Sequence, residues 1–135
     1  MEETVTTTRI SDVGGVAVPV DDQERALRFY VGTLGFEVRL DVPMGDGGRW
    51  LQVAPPGGQV PVALVAAGES GPVGVDTGIT FTTGDAEADH AALESAGVDT
   101  DDLLRWPGVP PMFILRDPDG NQLKVMETAT GTVSR

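Results

Sequence analysis

The sequence predicts an α+β domain built from two tandem β-α-β-β-β modules. The main observation is a repeat: residues 15–37, GVAVPVDDQERALRFYVGTLGFE, share their plan with residues 78–99, GITFTTGDAEADHAALESAGVD. Both segments read as a strand, a turn, an amphipathic helix and a glycine exit. The turns at 56–58 and 118–120 also fall at matching positions, so whole modules repeat. Because repeat arrays need three or more units, two copies indicate two similar halves of one domain.

The first module opens with Val16, Val18 and Val20, which alternate with Gly15, Ala17 and Pro19. This alternation predicts a strand whose valines pack against a helix. The helix begins after an Asp21-Asp22 cap, carries an apolar stripe and ends at Gly35. Strands are then predicted at 36–40, 49–54 and 62–66, with a turn-rich loop at 43–48.

The second module repeats this plan from Gly78 onward. Its helix is predicted at 86–96, with Thr83 or Asp85 as the cap and Gly97 as the stop. Residues 103–111 read as irregular because of their prolines, and the last two strands, 112–116 and 122–127, flank a tight turn. The expected divisions are a flexible tail at 1–9, the first module at 10–67, a linker at 68–76, the second module at 77–128 and a flexible tail at 129–135.

Composition limits the function. The 135 residues carry 9 Lys+Arg and 21 Asp+Glu, a formal net charge of −12, which disfavours binding to nucleic acid or to an anionic membrane surface. Cysteine is absent, which excludes disulfides and thiolate metal sites. There is no apolar run near the roughly 18 residues of a membrane span and no signal-peptide core at the start. We therefore expect a soluble, cytoplasmic protein.

Two motifs carry a resemblance to a known family. The opening pattern VxVDDxxRALxFYxxxLGFE and the closing pattern RDPDGNQLKVME resemble the vicinal oxygen chelate superfamily, which includes glyoxalase I, extradiol dioxygenases and bleomycin-resistance proteins. The resemblance runs from about Ile10 to Glu127. It implies a curved, cup-shaped mixed sheet with the helices on its convex side. It does not fix the reaction, because this fold hosts enzymes and pure binders alike.

The resemblance also implies where a metal would bind. Metal-binding members carry two histidines and a glutamate at the positions of Gly15, Gly78 and Lys124. Two glycines and an ammonium supply no imidazole nitrogen or carboxylate oxygen, so we expect no metal, no cofactor and no catalytic residue of the family's usual kind. His90, the only histidine, is expected to be a solvated residue of the second helix.

The altered cup offers candidate ligand-binding residues. Alternation places Pro19 and Thr80 on the cup face, and the missing imidazoles leave a volume that neighbours or a ligand must fill. The predicted walls are Trp50 and Gln52 opposite Met112 and Ile114, with Phe113 the competing assignment if the register slips by one residue. The remaining candidates are Trp106 and Met44 as apolar contacts and Arg49 and Lys124 as hydrogen-bond donors. Core packing of the apolar side chains and ion pairing of the two cations are the alternatives.

Two functions follow from the resemblance. The first is a metal-independent protein that sequesters a bulky, aromatic natural product or antibiotic, as bleomycin- and mitomycin-resistance proteins do in clefts shared by a homodimer. The alternative is an enzyme acting on a small molecule in the same cup, either glyoxalase-like or dioxygenase-like, or a metal-independent lyase or isomerase. A regulatory module without a specific ligand is a third reading. The sequence leaves open whether the modules pair within one chain or swap between chains.

Overall fold

The computed structural model describes residues 6–45, 47–68 and 71–128, so most of the two predicted tails lies outside it. The first module contains, in order, β1 (Val16–Val20), α1 (Gln23–Leu27), which continues as a π-helical turn (Arg28–Thr33), β2 (Glu37–Pro43), β3 (Arg49–Ala54) and β4 (Val62–Ala66). The second contains β5 (Asp76–Thr83), α2 (Ala86–Ser95), β6 (Asp99–Thr100), β7 (Leu104–Trp106), β8 (Val109–Arg116) and β9 (Gln122–Glu127).

Both modules form a mixed sheet with the same plan. The first sheet has the order β1-β4-β3-β2, and the second has the order β5-β9-β8-β6, with β7 added against β8. In each sheet the first strand runs parallel to the last, and the other pairs are antiparallel. The predicted α+β fold with two β-α-β-β-β modules is therefore confirmed.

The structure corrects the sequence prediction at 103–111. This stretch forms β7 and the start of β8, which pair through Leu104 with Met112 and through Trp106 with Val109. A register shift separates these two pairs. Proline cannot donate to a sheet ladder and is confined to edges, strand starts and irregular pairings, so Pro110 and Pro111 are tolerated beside this shift.

One hydrophobic core joins the modules. Its fully buried side chains include Val18, Leu51 and Val53 of the first sheet and Phe113 and Leu123 of the second. Helix residues Tyr30 and Ala86 complete it, and Phe36 packs edge-on against Phe81 with ring centroids 5.2 Å apart. Since side chains alternate along a strand, the opposite face of each sheet points away from this core.

A buried polar network fastens the β8–β9 turn to the first module. The Tyr30 hydroxyl donates to Asp117 Oδ2 at 2.8 Å, and Asn121 Nδ2 donates to the same oxygen at 3.0 Å and to the Pro19 carbonyl at 2.8 Å. Asn121 Oδ1 accepts from the backbone N–H groups of Gly74 and Val75. Asn121 therefore ties β1, the segment before β5 and the turn together.

Tyr30, the only tyrosine, makes this network testable by pH. Burial, followed by the nearby carboxylate of Asp117, raises the pKa of Tyr30 far above its usual value. Above pH 10 the unfolded chain loses the phenol proton and the folded chain keeps it, so stability should fall by up to about 1.4 kcal/mol per pH unit from this group. In a pH titration, the tyrosinate absorbance at 295 nm should appear only in the pH range in which circular dichroism reports unfolding.

The matched variant is Tyr30→Phe, which should cost about 1–2 kcal/mol at pH 7 through the lost hydrogen bond to Asp117. Its deficit relative to the wild type should shrink as the pH rises above 10. A tyrosinate signal with a midpoint near pH 10 in the folded wild type would show that Tyr30 is accessible and contradict the network.

Candidate functional site

The outward face of the first sheet is an apolar surface. Leu51 and Val53 enter the core, so their neighbours Trp50 and Gln52 point outward. In the ladder, Leu40 lies beside Gln52 and Val42 lies beside Trp50. Trp50 keeps 37% of its surface exposed, and Leu40 and Val42 are exposed as well. We call this surface, Trp50, Gln52, Leu40 and Val42, the first cup face.

The outward face of the second sheet mixes apolar and polar groups. One row runs from Thr80 through Lys124 to Ile114, and the next runs from Thr82 through Met126 to Met112. All six of these residues are half-buried or exposed, while Phe113 and Leu123 next to them in the strands are fully buried. We call these six residues the second cup face. A cavity of about 180 Å³ opens on it beside Lys124, Thr80 and Ile114.

A larger groove of about 880 Å³ lies between the modules. Its walls come from β1, from the β3–β4 loop at 55–60 and from β5. Ala17, Thr80 and Thr82 contribute to it, so the first strands of both modules border one space. In the ladders of the described residues, β1 pairs with β4 and β5 pairs with β9, which leaves the other edge of each first strand unpaired.

Gly15 lies beside the first cup face. A Cβ atom built on Gly15 would stand 3.8 Å from Gln52 Nε2 and 3.3 Å from the Pro61 carbonyl oxygen. The Gln52 amide therefore already occupies part of the space next to Gly15. The sequence left open whether neighbouring side chains or a ligand would fill the volume of the missing imidazoles. In the structure a neighbouring side chain fills part of it, and the rest of the face stays open.

Gly78 differs from Gly15 in its backbone. Its φ is +73°, in the left-handed region that favours glycine. The ladder between β5 and β9 shifts register between Asp76 and Thr80, so Gly78 sits in a bulge. A histidine here would carry backbone strain, and the bulge itself therefore opposes the imidazole that metal-binding relatives of this fold require.

The three positions do not fit a divalent cation. Gly15 and Gly78 offer no side-chain donor, and the Lys124 ammonium repels a cation. Among the described residues, no group of three His, Asp or Glu side chains is arranged to hold a metal ion. The chemistry that this chain's own side chains offer is apolar contact on the first cup face and hydrogen-bond donation on the second.

The structure places these predicted site residues in four locations. Trp50 and Gln52 lie on the first cup face; Met112, Ile114, Thr80 and Lys124 lie on the second. Pro19 is half-buried in β1 and its carbonyl accepts from Asn121. Met44 and Trp106 are exposed near the outer strands, Met44 after β2 and Trp106, 58% exposed, at the end of β7.

Two candidates lie on the core side of their strands and not on a cup face. Phe113 is fully buried on the core side, where its ring meets the His90 ring at a centroid distance of 5.1 Å, so the alternative register does not occur. Arg49 shares the core side of β3 with Leu51, and its guanidinium lies within ion-pair distance of Glu24 and Asp41. It is held by carboxylates, as the alternative reading of this residue anticipated.

His90 also departs from expectation. It is half-buried against Phe113, and its Nε2 lies 2.9 Å from the Asp101 carbonyl oxygen.

The sequence analysis did not name Leu40 and Val42 as site residues, although the sequence pattern indicated them. In β2, Val38, Leu40 and Val42 alternate with charged residues, which is the pattern of a strand with one apolar face.

Comparison with known proteins identifies the family. The model of the glyoxalase/bleomycin resistance protein/dioxygenase superfamily matches residues 12–125. The chain belongs to this superfamily. It is 30% identical over 126 residues to the uncharacterised protein YetH of Bacillus subtilis, a match that covers 87% of this chain and 99% of YetH.

Solved structures agree with this assignment. TnmS3, an antibiotic binding protein from a Streptomyces species, is 38% identical and superimposes with a TM-score of 0.80, covering 91% of this chain and 100% of TnmS3. A member of the same superfamily from Sphaerobacter thermophilus is 34% identical with a TM-score of 0.83, covering 90% of this chain and 100% of that one.

No helix in the described residues is long and apolar enough to cross a membrane.

The bulge at Gly78 yields a stability prediction. Gly78→Ala should lower the free energy of unfolding by about 1–2 kcal/mol, because an L-residue is strained at positive φ. Gly84→Ala is the matched control, since Gly84 has an ordinary φ and open space around its Cβ position; its effect should stay within about 0.5 kcal/mol. Urea denaturation measures both. Equal effects would contradict the bulge.

Proposed function

We propose that this protein binds a bulky, aromatic natural product or antibiotic in its cup without a metal ion, and that binding sequesters the compound. The observation that carries the proposal is the exposed Trp50, which lies beside Val42 on the first cup face. The three positions of the family's metal ligands, one on the first module and two on the second, hold glycine and lysine. An exposed tryptophan on a rigid strand offers a broad surface for stacking at little conformational cost. Apolar surface of this kind marks an interaction site.

The comparison with TnmS3 supports the same proposal. TnmS3 is described as an antibiotic binding protein, and 38% identity over 91% of this chain is enough to expect a related use of the cup. Fold alone would not be sufficient, because this superfamily hosts many functions. The residues of the first and second cup faces therefore carry the argument, and the similarity agrees with it.

We further propose that the working form is a homodimer in the cytoplasm, with the cup completed between subunits. The two cup faces of one chain both point away from its shared core. A second copy could place its second cup face over the first cup face of this chain and cover the apolar residues on both. A C₂ arrangement of this kind would create two equivalent clefts.

Trp50→Ala tests the binding site. Its affinity for an anthracycline or a similar polycyclic antibiotic, measured by isothermal titration calorimetry, should fall about 10- to 100-fold because the stacking surface is lost. The melting temperature should change by only a few degrees, since the side chain is exposed. Val13→Ala is the matched control: Val13 is an exposed apolar residue outside both cup faces, and its removal should leave affinity unchanged. A large fall in melting temperature for Trp50→Ala would show that Trp50 is a packing residue.

Sedimentation velocity tests the assembly. At micromolar concentration, the molecular mass obtained from sedimentation should be twice the chain mass of 14.1 kDa. Leu40→Asp, which places a charge on the first cup face, should shift the equilibrium toward the single chain while the far-ultraviolet spectrum stays folded. A wild-type protein that sediments as one chain at 100 micromolar would contradict the dimer.

A further inference from the structure

We propose that Lys124 gives the cup a preference for ligands with an ionised acidic group beside the aromatic system, such as a carboxylate or an acidic phenolate. This inference rests on the proposed function and names the chemical class of its ligand. Lys124 is the only lysine in the sequence. It occupies the inner strand β9 of the second sheet, between Thr80 and Ile114 in the ladder.

The pairing of the other cations makes Lys124 distinctive. Five arginines each have a carboxylate within 4.0 Å: Arg25, Arg39, Arg49, Arg105 and Arg116. Lys124 has no such partner among the described residues, although the chain carries 21 Asp+Glu. Arg9 and Arg28 also have none there, but both are exposed and lie off the cup faces. Within the described part of the chain, the unpaired cation of the cup faces is therefore Lys124.

The surroundings of Lys124 suit an anionic oxygen. Its cavity of about 180 Å³ also contains Thr80, Gln122 and Ile114, so polar side chains stand beside an apolar wall. Lys124 is half-buried as a residue, and an oxygen anion in this cavity would form charge-assisted hydrogen bonds with its ammonium. A neutral carbonyl would form weaker hydrogen bonds. The site thus discriminates by charge and still accepts an aromatic body.

Neighbouring charges oppose this preference only in part. Asp76 lines the same cavity, but its Oδ1 accepts from the Gly78 N–H at 3.1 Å. Arg116 of β8 is held by Asp99 and Asp101. The net charge of −12 repels anions at long range, yet salt screens that field beyond about 8 Å at physiological ionic strength. The contact with Lys124 decides the equilibrium, and the overall field slows association.

The test uses a matched pair of probes, anthraquinone-2-carboxylate and anthraquinone-2-carboxamide, which have the same shape and differ in charge. The wild type should bind the carboxylate about tenfold more tightly by calorimetry, as expected of one partly exposed charged contact. In Lys124→Met, which keeps the length of the side chain and removes its charge, the ratio should fall to about one. Circular dichroism confirms that the variant is folded.

Asp76→Asn is the control in the same cavity. Asparagine keeps an oxygen to accept from the Gly78 N–H while the competing negative charge is removed, so the preference for the carboxylate should rise. Reductive methylation with ¹³C-formaldehyde labels Lys124 and the terminal amine. The lysine methyl signal should move on addition of the carboxylate probe and move less with the carboxamide.

The outcomes separate the two proposals. Equal affinity of the wild type for both probes, or an unchanged preference in Lys124→Met, overturns the role of Lys124 and leaves aromatic binding intact. Absence of binding by either probe at millimolar concentration counts against the proposed function and against this inference together.

Discussion

The arrangement of the two modules depends on the hydrogen bonds that the Asp117 carboxylate accepts. This carboxylate accepts hydrogen bonds from the Tyr30 hydroxyl, the Asn121 side chain and the backbone N–H groups of Asp119 and Asn121. These bonds hold a turn of the second module against the helix of the first. Because polar groups buried in this way are costly to leave unpaired, the network specifies one packing of the modules. That packing directs one face of each sheet into the shared core and leaves the other face outside it.

The outward faces differ at three positions from the metal-site pattern that the family resemblance implies. At Gly15 the neighbouring Gln52 amide takes part of the space next to the strand. At Gly78 the backbone has a positive φ within a bulge, which disfavours residues other than glycine. At Lys124 the sign of the charge is reversed relative to a carboxylate ligand. Together these three positions offer no ligand set for a divalent cation, and the outward faces around them carry exposed apolar side chains and one ammonium donor.

Much of the fold could be predicted from alternation and from the repeat. Apolar residues alternate with a period of two in β1, β3 and β9. This alternation predicts which face of each strand enters the core, and therefore the outward positions of Trp50, Gln52 and Lys124. The prediction failed where tertiary context overrides local signals. Prolines at 110 and 111 suggested a loop, but pairing with β7 holds them in a strand. Arg49 was named as a hydrogen-bond donor for a ligand because of its side-chain chemistry, although the alternation of β3 places it on the same side as Leu51 and the structure pairs it with carboxylates.

The central claim is that the first cup face binds aromatic compounds without a metal ion. Its most direct test is the fluorescence of a Trp106→Phe variant, in which Trp50 is the only tryptophan. Titration with a polycyclic antibiotic should quench the emission to saturation, with a Kd of about 10 μM or lower, and 5 mM EDTA should leave the curve unchanged. Emission that does not respond to the compound, or a response abolished by EDTA, would contradict the claim.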